Sequence, residues 1–435
     1  MSKEKIVVIG AGSLQFGLGS VGSVIHSEIL NGSTISLHDI NEETLDLATQ
    51  ACQSTVESGN LNYNIESSLD RKEALKNATF IINAIEIPPR FKILKWDFEF
   101  PMMWGSTQIT GENGGPGGLF HSLRVIPPIL DICEDIQKIC PNAFFINYSN
   151  PMSRICLAIK RKFPNQKFVG LCHELGNNAP QILPIILDTP MSNIEIKAGG
   201  LNHFGVVLEA KYRDTSRDAY PDIRQKGPAI LGKLAEKTDL SLIKFILDIY
   251  DYYAYTTDNH YGEYMSWAWE VADLPHGREF WESYEVKLAK SFNRIKRTIE
   301  SGRGAKLVKA DAERAIPIIE GIITNDNREE SSVNIPNDDI ITNLPQDLVV
   351  ECPAVVNKDG LHGVPLGEYP KGLAALLRNQ ASVQDLVVEA ILTKSKKVAL
   401  QALLADPVIN STSQAKKILD SMLKLQKKYI QIELE

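Results

Sequence analysis

The sequence predicts an α/β fold, with a doubly wound parallel sheet in the N-terminal part and a mixed α+β lobe behind it. Three observations carry this. Short apolar runs at Lys5–Ile9, Thr34–His38, Thr79–Ile85, Ala143–Tyr148 and Lys167–Leu171 alternate with longer stretches of helical period. The first run passes directly into Gly10-Ala11-Gly12-Ser13 and then into a helix. After Pro190 the pattern changes, and Ile194–Lys197 and Val206–Tyr212 alternate with the period of two expected of antiparallel strands.

The elements follow in order. Lys5–Ile9 is too apolar for a half-solvated strand and reads as buried on both faces. The helix after the glycine turn extends to about Leu30, where Asn31-Gly32 closes it. The second strand ends on Asp39, and Asn41 or a neighbour caps a helix over Glu42–Ser58. The strand Thr79–Ile85 carries Asn83 near its end, and Phe120–Ile139 is helical. From Leu240 to Arg297 the chain is mostly helical and rich in aromatics. The polar stretch Asn325–Asn343 reads as a loop, Asp347–Val356 as a strand, and Ser382–Leu404 and Ser413–Lys428 as C-terminal helices. No internal repeat interrupts this order. The expected division is a dinucleotide-binding domain over 1–190 and a mixed domain over 191–435, which completes the site and mediates oligomerisation.

Composition narrows the function classes. The 435 residues are 43% hydrophobic, enough for a sizeable core, and carry a formal net charge of −8. Without a Lys/Arg run, this balance argues against nucleic acid or an anionic membrane surface as partner. No apolar run approaches the ~20 residues of a membrane span. Met-Ser-Lys-Glu-Lys leads straight into a strand rather than a signal sequence, so the cytoplasm is the expected compartment. The six cysteines form no close pairs of the zinc-ribbon or disulfide-framework kind, and most are expected as buried small hydrophobes in a reducing compartment.

Gly10-Ala11-Gly12 sits between a strand and a helix, the context in which a glycine pair signals a Rossmann-type dinucleotide site. The first glycine permits the tight turn. The second lets a pyrophosphate approach the backbone at the helix N-terminus, beside Ser13. The third glycine of the usual fingerprint is replaced by Gln15. Asp39, at the end of the second strand, stands where a carboxylate takes the ribose hydroxyls, which favours NAD over NADP. Asn83 is counted with Gly10, Gly12, Ser13 and Asp39 as cofactor-binding.

Other segments bear on the chemistry. Thr110–Gly118, which includes Glu112, is a glycine-rich loop whose exposed amides can face anionic or polyol oxygens, or which can be purely structural. Asn150, past the Ala143–Tyr148 strand, can bond a hydroxyl, cap a helix before Pro151, or do both. Cys172-His173-Glu174 follows another strand, and Asn202-His203 comes further on. A thiolate and an imidazole suit a borderline divalent metal, although single Cys and His residues also fill cores. The Asp251–Tyr264 segment contains many tyrosines, which pack or, beside a metal, serve as a base.

Together these segments resemble glycoside hydrolase family four, the NAD- and metal-dependent glycosidases, over nearly the whole chain. The matching motifs are Gly10–Ser13, Gly115–Gly118 with Leu123–Pro127, Asn147–Met152, Gly170–His173 and Gly200–His203, in the family's order and spacing. Asp347–Pro353 and Ala399–Pro407 resemble it as well. The resemblance implies a fold like that of lactate and malate dehydrogenases. It implies Cys172 and His203 as ligands of a divalent metal, typically Mn2+. It also implies a reaction in which NAD+ oxidises the sugar C3 hydroxyl, the metal stabilises an enediolate, a base removes the C2 proton and the aglycone leaves by elimination.

Within that scheme Asn150 and Asn202 are substrate hydroxyl ligands, and Glu112 and Glu174 are counted with them. His173 is the candidate general acid, and Tyr253 and Asp258 are candidates for the base. Members that act on 6-phosphoglycosides tend to carry Asn or Asp after the metal Cys, so His173 implies an unphosphorylated sugar. Cys172-His-Glu-Leu175 is similar to the variant found in α-galacturonide-cleaving members and, less closely, to the α-glucosidases and α-galactosidases. The loop before Gly115 is longer, and the Arg90-to-Asp97 spacing wider, than the family's. A small-molecule glycoside as partner and a homodimer or homotetramer are the further implications.

The rival readings are an NAD-dependent 2-hydroxyacid dehydrogenase of the lactate/malate type and a non-catalytic NAD-binding sensor. The first needs no metal pair and the second would have lost it, whereas Cys172 and His203 are both present.

Overall fold

In a computed structural model that describes residues 3–13, 17–302, 306–309 and 314–435, one sheet of 11 strands runs through both halves of the chain. The strands are β1 (Lys5–Ile9), β2 (Thr34–His38), β3 (Asn64–Ser68), β4 (Phe80–Asn83), β5 (Phe144–Asn147), β6 (Phe168–Gly170), β7 (Ile194–Leu201), β8 (Phe204–Tyr212), β9 (Arg328–Pro336), β10 (Val349–Asn357) and β11 (Gly360–Gly363). Their order is β3-β2-β1-β4-β5-β6-β9-β10-β7-β8, with β11 beside β10. The first six are parallel, in the order of a doubly wound dinucleotide-binding sheet. From β9 onward the pairing is antiparallel.

The apolar runs form strands because both of their faces are covered. Side chains alternate, so Ile6 and Val8 join one core with Leu37 and Ile82, while Val7 and Ile9 join another with Ile81 and Phe145. Helices Gly17–Ile25 and Glu42–Ser58 cover the first face, the latter capped by Asn41, whose side chain accepts from the Thr44 amide. Helices Gly115–Ile139 and Met152–Lys162 cover the second face, joined by the C-terminal helices Lys371–Thr393, Lys396–Ala405 and Thr412–Gln426. The C-terminal residues thus complete the core of the N-terminal sheet.

Several elements differ from the sequence expectation. The stretch read as a loop over Asn325–Asn343 contains β9, which bridges the parallel and antiparallel parts of the sheet. Its polar composition is compatible with burial because its side chains find partners. Glu330 accepts from Arg314 at 2.8 Å, Ser332 bonds Glu351, and Asn334 donates to the Gly170 carbonyl at 3.4 Å. The Ser382–Leu404 run is two helices, broken where Lys394 turns to a φ of 54° and Ser395 caps the second. The helix read from Phe120 starts at Gly115, with Pro116 in its first turn. Strands β3 and β11 and the helix Arg90–Met103 were not anticipated. Gln15, the departure from the glycine fingerprint, lies outside the described residues.

Candidate active site

The carboxyl ends of the parallel strands converge on one cleft, the usual ligand position in such sheets. Ser13 follows β1, Ile85 and Glu86 follow β4, Ser149 and Asn150 follow β5, and Cys172, His173 and Glu174 follow β6. His203 enters from the β7–β8 turn, where its φ is 60°. Glu112 comes from the glycine-rich loop, His260 from the short helix Asp258–Tyr261, and Trp281 and Tyr284 from the helix Leu274–Glu300.

At the nucleotide turn Gly10 has a φ of +81°, and a Cβ there would lie 2.8 Å from the Ala84 carbonyl oxygen. A Cβ on Gly12 would lie 2.5 Å from Thr44 Oγ1 and 2.9 Å from Asp39 Oδ2. Only glycine fits either position. The Asp39 carboxylate accepts from the Gly12 amide at 2.9 Å and the Asn41 amide at 3.0 Å, which holds it at the mouth of the turn. Asn83 does not line the cleft. It is buried at the end of β4, donating to Asn147 Oδ1 at 2.9 Å and Ser149 Oγ at 3.1 Å, and so fixes the loop that presents Asn150.

Cys172 Sγ and His203 Nε2 are 3.2 Å apart. Burial pushes the Cys172 thiol well up, reinforced by the negative Glu351 and Glu174. Burial pulls the His203 imidazole well down, helped by His260 and His173. Ligand atoms of Glu112, His203 and His260 also lie within 4.8 Å of one another. Behind the pair, Asn202 donates to Glu351 at 3.4 Å while its Oδ1 is buried without a partner. Buried Glu351 is raised to about 7 by loss of solvation, with Ser332, Tyr255 and Asn202 as its donors. A soft thiol and an imidazole at a shared cavity, with an orphaned amide oxygen on the residue next to that imidazole, fit a borderline divalent cation.

The sequence reading did not single out Glu86, Arg90, Trp281 or Tyr284. Arg90 lies 3.7 Å from Glu86 and 3.5 Å from Glu112, under the Tyr284 ring. His121 contacts Glu86 at 3.2 Å. Burial favours the neutral acid at Glu86, yet His121 and Arg90 hold it down at about 2. His260, disfavoured as a cation by burial, is raised to about 9 by Glu263, Glu174 and Glu112. Glu86 was detectable as a charged residue just past an apolar strand. The helix that carries Trp281 and Tyr284 gives no such local signal.

Tyr253 and Asp258 do not reach the cleft. Tyr253 is fully buried, with its hydroxyl lacking a partner and its backbone carbonyl bonded to Val207. Asp258 accepts from the Leu242 amide at 2.9 Å, Ile243 at 3.2 Å and Asp273 at 3.0 Å, which makes it a structural anchor for the start of the Ser241–Tyr250 helix. Two other tyrosines of the same segment lie near the Cys172–His203 pair. The Tyr255 hydroxyl donates to Glu351 at 3.2 Å, and the Tyr264 hydroxyl to the Asn202 carbonyl at 3.3 Å.

Comparison with known proteins agrees with this geometry. The chain is 39% identical to an alpha-glucosidase of Erwinia rhapontici, covering 98% of each chain. It is 31% identical to an alpha-galactosidase of Bacillus subtilis, covering 96% of each. The fold matches a 6-phospho-alpha-glucosidase from gut microorganisms, crystallised with NAD and Mn2+, at a TM-score of 0.84 and 23% identity, covering 100% of both chains. No described helix is long and apolar enough to cross a membrane. Residues 5–182 match the family 4 glycosyl hydrolase model and residues 198–409 match that family's C-terminal domain, so the chain belongs to family 4 of the glycosyl hydrolases.

Proposed function

We propose that the protein is an NAD- and divalent-metal-dependent glycosidase acting on an unphosphorylated, uncharged α-hexoside, and that it works by oxidation and elimination. The observation that carries this is the Cys172–His203 pair, 3.2 Å apart in a cleft that also opens onto the Gly10–Ser13 turn. The similarity to an alpha-glucosidase supports the choice of sugar. The charges of the cleft support it too. Glu86, Glu112 and Glu174 line it, and Arg90 is the one Lys or Arg among its described lining residues. Arg90 already faces two of these carboxylates and His260, raised to about 9, faces Glu112 and Glu263, so among the described lining residues these cations are already matched by carboxylates before a uronate or a phosphate arrives.

NAD+ at the Gly10–Asp39 turn would accept hydride from C3, and Mn2+ between Cys172 and His203 would polarise the neighbouring oxygens. The chain's own groups orient and exchange protons. Asn150 and Asn202 hold sugar hydroxyls, and Glu112 is close enough to share that work. His173, at the cleft rim beside Glu174, serves the leaving oxygen as acid. For the C2 proton the position of Tyr264 favours it over Tyr253. Its hydroxyl donates to the carbonyl of Asn202, the residue next to His203, while burial and the negative Glu263 hold the phenol well above its ordinary range with Arg154 opposing them. Residues 1–190 form the cofactor-binding unit and 191–435 complete the site. With six free thiols, a reducing cytoplasm suits the chain, and it works as a homo-oligomer.

The test is a panel of p-nitrophenyl α-glucoside, α-galactoside, α-galacturonide and 6-phospho-α-glucoside, assayed with NAD+ and Mn2+ and with each omitted. The expected result is turnover of a neutral sugar that ceases when either cofactor is withheld, with the C2 proton exchanging into D2O. Tyr264→Phe should abolish that exchange while retaining Mn2+ binding. Turnover independent of both cofactors, or restricted to the charged sugars, would refute the reading.

A further inference from the structure

The helix Leu274–Glu300 presents Trp281 and Tyr284 to the cleft on one side, and its principal neighbours are the helices Glu42–Ser58 and Asp258–Tyr261. The opposite side is an open helix face, with Glu279, Glu282, Val286, Lys287, Lys290 and Arg294 all exposed. Their spacing by three and four residues sets them on one face. The charge on this face is sorted rather than mixed. The first half is acidic at Glu279 and Glu282, and the second half is basic at Lys287, Lys290 and Arg294. Val286, 50% exposed, lies between the two halves. Elsewhere on the helix, Lys296 pairs with Glu43 at 2.5 Å, whereas Glu279, Glu282, Lys290 and Arg294 form no ion pair with another described residue.

We propose that this face is the contact between two copies of the chain, with the helix pairing antiparallel to its own counterpart about a two-fold axis near Val286. A two-fold contact brings the same patch from both copies together in reverse order. An acid-then-base face is its own complement in that arrangement alone. Glu279 and Glu282 of one copy meet Arg294 and Lys290 of the other, twice over, with the two Val286 side chains at the axis. Parallel pairing would set like charges opposite each other, which is strongly disfavoured. The contact would also hold Trp281 and Tyr284 against the cleft from behind.

The test uses the full chain, supplied with NAD+ and Mn2+, in sedimentation equilibrium across a concentration series. Glu279→Lys/Glu282→Lys makes the face uniformly basic, and Lys290→Glu/Arg294→Glu makes it uniformly acidic. Because all four positions are exposed, neither variant threatens the fold. Each variant alone should dimerise at least about tenfold more weakly than the native chain, and the equimolar mixture should restore native affinity as a mixed dimer. Association of the native chain should weaken with salt, since the Debye length falls to ~3 Å at 1 M. Val286→Cys should give a covalent dimer under mild oxidation. A native chain that stays monomeric, variants that assemble as tightly as the native chain, or failure of the Val286→Cys protein to cross-link would each overturn the proposal.

Discussion

Metal binding at Cys172 and His203 should release one proton, and the structure says which one. Burial, with Glu351 and Glu174 nearby, holds the Cys172 thiol above its ordinary range, so the site is a protonated thiol at neutral pH. Burial beside His260 and His173 keeps the His203 imidazole neutral, so it has no proton to give up. A cation that takes a thiolate and a neutral imidazole therefore displaces one thiol proton. The apparent Mn2+ association constant should rise about tenfold per pH unit between about pH 6 and 8, or ~1.4 kcal/mol per unit. Titration calorimetry in two buffers of different ionisation enthalpy counts the protons directly. Cys172→Ser should lose both the proton release and the slope. Binding that is flat with pH in the native chain, or a slope that survives Cys172→Ser, would refute the assignment of Cys172 as a ligand.

Other consequences can be checked as directly. Asp39→Ala removes the carboxylate that receives the Gly12 and Asn41 amides, and should weaken NAD+ while narrowing its preference over NADP+, read as the ratio of the two dissociation constants. Asp97 is fully buried and receives Arg124 at 2.5 Å and Gln426 at 2.6 Å, so Asp97→Ala leaves a buried guanidinium without its counter-charge and with only Gln426 to accept from it. That should cost ~3–5 kcal/mol in urea unfolding, whereas replacing both Asp97 and Arg124 with apolar residues should recover much of it. Glu86 has a depressed carboxyl at about 2, so its contribution is present above the unfolded value near 4.5 and is lost as pH falls toward the folded value. Glu86→Gln should therefore lower the urea midpoint at pH ~6 and leave it nearly unchanged at pH ~2. An equal loss at both would exclude a charge-based role.

The sequence by itself determined the parallel half of the sheet and the nature of its cleft. Apolar runs such as Ile6–Ile9 and Ile81–Ile82 are buried on both faces, so local composition states their environment. Gly10 and Gly12 are legible because the backbone approaches that they permit occur within a single turn. The motifs around Asn150, Cys172 and His203 are legible because each follows a strand at once, and strand ends share a rim.

Tertiary structure alone decided the rest. Strand β9 is polar, and only Arg314, Glu351 and Gly170, all distant in sequence, supply the partners that let it run through the interior. Within Asp251–Tyr264 the residues are equally aromatic, and it is chain direction in space that puts Tyr264 beside Asn202 and turns Tyr253 into the core. The Glu86–Arg90–Glu112 group and the helix bearing Trp281 are long-range arrangements of the same kind. Their meaning lies in distances between elements, which composition and spacing do not encode.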